Sequence, residues 1–315
     1  MPQRTRAIQI LILATLLWGV SFPTTKALAL TQEQLLGNPS TWFLASLLTV
    51  FRFGLAALVL LAFSARSIGR LTRSELEQGL GLGAFGGVGI LLQVDGLSHT
   101  LASTSAFLTQ GTCLFIPLWL ALRHWRRPTL RVTASCALVL AGAAVLAKVD
   151  WQHLTLGRGE WETIAAAAFF AGQILWLARP GFEGNNANHF SLVMFATMAL
   201  VCLPVAASTA ACACDWTRAW SSAPALGFLA ILMIPCTLGS YMMMNHWQRQ
   251  VTPVQAGLIY CVEPVFTSCF ALVLPAIFSR WAGVNYPNEI LTPSLVLGGV
   301  LILIANFLVL KPGAE

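Results

Sequence analysis

The run WFLASLLTVFRFGLAALVLLAF, Trp42 to Phe63, holds one charged side chain, Arg52, in 22 residues. A helix rises about 1.5 Å per residue, so crossing the hydrocarbon of a bilayer takes about 20 mostly apolar residues. The run therefore predicts a membrane-spanning helix. Working outward from it, nine further runs of the same character emerge, and the ten predicted spans are 8–30, 42–63, 76–97, 102–122, 132–148, 163–178, 190–208, 223–247, 254–278 and 293–310. The gap at 98–101 is short enough to demand a tight antiparallel hairpin. The gap at 250–253 is similar.

Composition agrees. Of 315 residues, 57% are hydrophobic and 10% charged, against roughly 25% charged in a soluble domain, and the mean hydropathy is +0.74. A net charge of +6 with a pI near 9.1 raises the question of nucleic acid, which needs basic residues gathered on one folded face. Here they sit in short gaps between apolar runs, the pattern of cytoplasmic loops facing anionic lipid. With the N-terminus cytoplasmic, twelve of the 18 Lys and Arg fall on that side, among them Arg66, Arg70, Arg73, Arg123, Arg126, Arg127, Arg249 and Lys311, against Lys148, Arg158, Arg218 and Arg280 opposite. Both termini are expected to be cytoplasmic, in a multi-pass protein of the inner (plasma) membrane. Arg4 and Arg6 ahead of an apolar stretch, with Ala27-Leu28-Ala29 after it, resemble a secretory signal. Lys26 beside that site and the nine later spans favour an uncleaved first helix.

Six of the eight cysteines lie inside apolar runs and read as small core residues. Cys212 and Cys214 fall in a loop, two positions apart, which is poor geometry for bridging to each other. No disulfide framework is expected.

The chain also repeats itself. Setting residue n beside n+151 aligns Ser105-Ala106-Phe107-Leu108 with Ala256-Gly257-Leu258-Ile259, and Leu114-Phe115 with Val265-Phe266. Leu138-Val139-Leu140-Ala141-Gly142 matches Leu295-Val296-Leu297-Gly298-Gly299 at a slightly larger offset. Five spans is an odd number, so a second five-span unit enters the membrane from the opposite side. The expected organisation is an all-α membrane protein of ten transmembrane helices in two inverted five-helix repeats, 1–150 and 151–315. Inverted repeats suit alternating access, in which a central site at the repeat interface faces each side in turn.

Several motifs resemble those of the EamA-type transporters of the drug/metabolite transporter superfamily, over nearly the whole chain. They are Leu17-Trp18-Gly19-Val20-Ser21-Phe22 with Lys26 in the first span, Phe51-Arg52-Phe53 with Ala56-Ala57 in the second, and Gln93 with Gly96-Leu97 in the third. Thr104-Ser105-Ala106-Phe107-Leu108-Thr109 with Pro117, Leu140-Ala141-Gly142, Trp247-Gln248-Arg249 with Thr252-Pro253, and Glu263-Pro264-Val265-Phe266 are similar to later helices. The resemblance implies an exporter or exchanger of amino acids or related metabolites, with ten helices around a central cavity. Many members carry a Gly-Glu-Arg-like turn after helices four and nine, where this chain reads Leu122-Arg123-His124-Trp125-Arg126-Arg127 and Ile277-Phe278-Ser279-Arg280. The likeness thus carries the fold better than a substrate.

Charge inside a bilayer costs about 2.5 to 3.5 kcal/mol on insertion scales, so each intramembrane ionisable residue needs a reason. Arg52 and Glu263 lie near the middle of their spans, Lys26 and Asp95 nearer the ends. One reading has Glu263 bind a coupling proton or a substrate amine, and Arg52 bind a carboxylate or pair with Glu263. The other makes them a satisfied pair that locks the bundle, with Glu263 repairing the helix broken at Pro264. Lys26 either reaches the interface by snorkelling or serves transport, and Asp95 either ends its helix in water or pairs with Lys26 at an outer gate. Ser21, Thr24, Gln93, Thr109, Gln110, Gln173, Asn245, Gln248 and Tyr260 are candidate polar lining, and Trp18 and Trp176 candidate aromatic walls. About half are expected to face a pathway and the rest to bond between helices. Pro23 and Pro235 interrupt spans as candidate hinges. The glycines of span three allow a close neighbour.

No His-Glu-x-x-His, nucleophile elbow or Walker loop is present, and His99, His124, His153, His189 and His246 are scattered. The chain is read as no enzyme, with no cofactor or metal. The alternatives are a membrane-embedded enzyme or a channel-like facilitator, the latter usually needing selectivity groups from several subunits. Expected partners are a small-molecule substrate and the bilayer, with proton coupling open, a monomer or homodimer, and no nucleic acid.

Overall fold

The computed structural model describes residues 2–37, 39–100, 102–124, 128–146 and 156–310. The expected boundary between halves at 150 and 151, the basic residues Arg126, Arg127, Lys148 and Lys311, and Trp125 and His153 lie outside the described residues. Among the described residues there is no strand. The architecture is that of an all-α, multi-pass membrane protein.

The helices are α1 (Pro2–Leu36), α2 (Thr41–Ser64), α3 (Arg73–His99), α4 (Ala102–Thr109), α5 (Thr112–His124), α6 (Leu130–Leu146), α7 (Arg158–Leu177), α8 (Ala187–Thr209), the single turn α9 (Asp215–Arg218), α10 (Ala223–Met233), α11 (Ser240–Trp247), α12 (Pro253–Tyr260), α13 (Glu263–Ala271), α14 (Leu274–Ala282) and α15 (Pro293–Leu310). Within the described residues, each of the ten predicted stretches lies on helix. Among the described residues six stretches are long and apolar enough to cross a membrane: α1, α2, α3, α8, α10 continued through α11, and α12 continued through α13.

Local sequence sets the ends. Thr72 caps α3 by accepting from the Glu75 N–H at 3.2 Å, while the Glu75 carboxylate accepts from the Thr72 N–H at 2.8 Å. Thr252 caps α12 by accepting from the Gln255 N–H at 3.3 Å, with Pro253 in the first turn, where its missing N–H has no helical partner to lose. Pro23 does not break α1, which runs through it without interruption. Pro235 does act, opening a π-helical turn at Ile234–Gly239 between α10 and α11. Two further breaks, at Gln110-Gly111 and Cys261-Val262, fall at corresponding points of the α4–α5 and α12–α13 rods.

Packing has a paired character. α2 lies along α8, and α6 along α15. α7 packs on α3 and on α4–α5, while α1 packs on α10–α11 and on α12–α13. The glycines of α3 explain how it serves two neighbours. A Cβ on Gly83 would sit 2.4 Å from Thr197 Cβ of α8, and one on Gly81 would sit 2.2 Å from the Trp176 ring of α7. Both are closer than real Cβ atoms approach, so glycine here is close packing rather than a hinge.

Candidate functional site

A cavity of about 960 Å³, open solvent at its mouth included, lies where α1, α2, α3, the α4–α5 break, α7, α11 and the α12–α13 break converge. On α1 its wall climbs from Trp18 through Ser21 and Phe22 to Thr25, and on α3 from Ile90 through Gln93 and Val94 to Leu97. Both runs lead to the end of the bundle at which α1 and α3 finish and α7 begins, here the distal end. Toward the opposite, proximal end the floor is closed. The Tyr260 hydroxyl donates to Gln248 Oε1 at 2.9 Å, and Gln248 Nε2 donates to the Ile174 carbonyl at 3.0 Å. Trp18 packs edge-on to Tyr260 and Tyr241, with ring centroids 5.1 and 5.4 Å away.

Two ionisable groups share this cavity in different ways. The Arg52 guanidinium is buried and anchored, Nε donating to Thr237 Oγ1 at 2.5 Å and NH2 to the Cys236 carbonyl at 2.7 Å. Both acceptors belong to the π turn that Pro235 opens, so that turn supplies the arginine's seat. Glu263 begins α13 and lines the cavity. Among the described residues its carboxylate has no hydrogen-bond or ion-pair partner, and it forms no ion pair with Arg52, contrary to the pairing weighed from sequence. The buried Trp18 Nε1 is likewise without an acceptor among the described residues.

No family model matches the chain, and no curated protein matches it. The chain is similar to a solved structure described only as a crystal structure of a protein, with a TM-score of 0.69 and 19% identity, over 97% of this chain and 96% of that one. At that identity the likeness establishes a shared fold alone.

Of the residues singled out from sequence, the cavity gathers Trp18, Ser21, Arg52, Gln93, Thr109, Gln110, Gln173, Tyr260 and Glu263. The others lie elsewhere. Thr24 donates to its own helix at the Val20 carbonyl (2.8 Å), and Asn245 donates to Ser191 on α8 (2.8 Å). Trp176 donates to the Gln78 carbonyl at 3.2 Å with Arg179 stacked 3.7 Å above its ring, and Gln248 stands behind Tyr260. Lys26 is exposed, its ammonium 5.6 Å from the Tyr286 ring centroid, and it does not meet Asp95. Asp95 is fully buried instead and bonded to Arg158, to the Thr41 hydroxyl at 2.7 Å and to His99 at 3.5 Å.

The structure adds wall residues that sequence reading passed over: Phe22, Thr25, Thr112, Phe170, Tyr241, Met244 and Cys261. Tyr241 could have been found, being one of only three tyrosines and six residues past Pro235. Phe170 sits three residues before Gln173 on the same face of α7. Nothing in the sequence marks Cys261 or Met244.

At the proximal end of α3 a second network was also missed. His189, 4% exposed, contacts Glu75 Oε2 at 3.1 Å through Nδ1 and Ser67 Oγ at 3.1 Å through Nε2. Glu75 Oε1 accepts from the Asn186 N–H at 2.9 Å.

Proposed function

We propose that this protein is a secondary transporter that carries small metabolites across the inner (plasma) membrane by alternating access through the central cavity. In this reading the ten helical rods are ten spans in two inverted five-helix units, with both termini cytoplasmic. The paired packing supports it: α1 has the same kinds of neighbours among the last five rods as α7 has among the first five. The site then lies at the interface of the two units, where such carriers bind their cargo.

The observation that carries the reading is the Glu263 carboxylate, placed in the cavity wall with no hydrogen-bond or ion-pair partner among the described residues. A partly buried carboxylate that the protein leaves unbonded keeps part of its desolvation cost without a compensating bond. Its place is explained when a cationic group of the cargo, or a coupling proton, completes it. The aromatic faces of Trp18, Tyr260 and Phe170 suit an apolar body beside that amine. Arg52, seated by the π turn, offers positive charge to a carboxylate. Amino acids and amine-bearing drug-like compounds fit both.

The test is flux of a radiolabelled amino-acid and amine panel into and out of proteoliposomes, with and without an imposed pH gradient, for wild type and Glu263→Gln. Gradient-driven flux of an amine-bearing compound, lost in a folded Glu263→Gln protein, is the expected result. Flux that ignores both gradient and mutation would make the protein a facilitator and Glu263 structural. No flux of any panel member in well-folded wild type would sink the transporter reading.

A further inference from the structure

The loop between α8 and α10 carries Cys212 and Cys214 on either side of Ala213, and both thiols are free and exposed. The backbone is folded tightly around them. The Cys212 N–H donates to Asp215 Oδ2 at 3.1 Å, and the Cys214 N–H donates to Cys212 Sγ at 3.2 Å. An amide aimed at sulfur favours the thiolate over the thiol, because the charged acceptor takes the stronger hydrogen bond.

The two sulfurs are not equivalent. The Cys214 side chain, hydrogen-bonded to Cys212, lowers the Cys212 pKa below the usual thiol range, and the Cys214 amide adds to this. The same contact with Cys212 raises Cys214, and the Asp215 carboxylate, with Oδ1 3.8 Å from Cys214 Sγ, opposes a second negative charge there. One thiol is set to ionise and its neighbour is held protonated. The loop is also fixed in place: Trp216 lies against Phe43 and Phe51 of α2, with ring centroids 6.2 and 6.4 Å away.

We propose that Cys212 and Cys214 form a thiol–disulfide exchange site for low-molecular-weight disulfides, with Cys212 the attacking sulfur and Cys214 the resolving one. The Cys212 thiolate attacks one sulfur of the disulfide RSSR, making a Cys212–S–S–R bond and releasing RS⁻. Cys214 gives up its proton and attacks the Cys212 sulfur, closing a Cys212–Cys214 bond and releasing the second RS⁻. The protein's two thiols are oxidised by two electrons, RSSR is reduced to two thiols, and the two protons end on those products. A bridge closed over the single residue Ala213 departs from relaxed disulfide geometry, so it reopens readily with two molecules of a second low-molecular-weight thiol, R′SH, which restore both cysteine thiols and leave as R′SSR′.

The test uses the full-length protein in detergent with glutathione disulfide as the probe, adducts being located by peptide mass spectrometry. Wild type is expected to form the Cys212–Cys214 bridge with little lasting adduct. Cys214→Ser should accumulate glutathione on Cys212, and Cys212→Ser should react at Cys214 at least about tenfold more slowly. Equal rates for the two single variants, or no adduct on Cys212 in Cys214→Ser, overturn the proposal. A thermal midpoint equal to wild type verifies the fold of each. Should a midpoint differ, Asp215→Asn in the Cys212→Ser background decides: faster reaction of Cys214 supports the assignment, and an unchanged rate overturns it.

Discussion

Glu75 and Asp95, at the two ends of α3, are buried, Glu263 is partly buried in the wall of the cavity between the helices, and the protein treats them oppositely. Glu75 accepts from the Thr72 and Asn186 N–H groups and contacts His189. Asp95 is bonded to Thr41, Arg158 and His99. Each ties α3 to its neighbours, Glu75 to α8 and Asp95 to α2 and α7. Glu263 has no hydrogen-bond or ion-pair partner among the described residues. A saturated buried network rigidifies the structure around it, whereas an unsaturated acid is a cost to the fold alone. The difference separates two acids that build the bundle from one that, under the transport reading, is left for a substrate or a coupling proton.

The sharpest way to break that contrast is Glu263→Gln. It removes a charge without changing shape, so under the transport reading flux of an amine-bearing substrate should fall by about ten- to a hundredfold, the weight of one charge-assisted contact. The thermal midpoint in detergent should stay at or above that of wild type, since no native bond is lost. A lowered midpoint would move Glu263 into the class of Asp95. Next comes Arg158→Met, which strips Asp95 of its cation. Breaking a buried pair costs about 3 to 5 kcal/mol, but Arg158 is 49% exposed and Thr41 and His99 remain, so about 2 kcal/mol is expected, read as a lower midpoint. An unchanged midpoint would mean that Asp95 needs no partner, and the contrast would fail. Thr237→Val then removes the acceptor of Arg52 Nε at constant volume and should cost about 1.5 kcal/mol. Its effect should appear in stability first, because the Cys236 carbonyl still holds the guanidinium.

What could be read from the sequence follows physical scale. Apolarity summed over about 20 residues is a signal no local context reverses, so among the described residues the run at 42–63 and its companions fall on helix, six stretches being long and apolar enough to cross a membrane. Arg52 and Glu263 were equally visible because charge in an apolar run stands out. Their relation was not, since whether two side chains meet depends on angstroms set by the π turn at Pro235, and Pro23, with the same local chemistry, leaves α1 unbroken. Lys26 and Asp95 were weighed as partners because both lie near the distal end. Arg158, on a helix that starts at that end more than sixty residues later, reaches Asp95 instead. Asn245 and Trp176 sit on the expected helices yet face away from the cavity, because sequence spacing without a known packing angle does not fix which polar face turns inward.

The smallest expected effect tests the cavity floor. Tyr260→Phe keeps the ring and its edge-on packing with Trp18 but removes the hydroxyl that bonds Gln248, whose amide in turn holds the Ile174 carbonyl of α7. One buried hydrogen bond contributes about 1 kcal/mol net, so the midpoint should drop by that much. Gln248→Leu alone should cost more, because it also frees the Ile174 carbonyl. In the double variant the Tyr260 term should vanish, since its acceptor is already gone, and the coupling recovered from the cycle should be about 1 kcal/mol. Zero coupling would mean the two side chains act independently and the floor is held by the aromatic cluster alone. Were the coupling present and flux also altered in Tyr260→Phe, the floor would belong with Glu263, on the transport side of the contrast rather than the structural one.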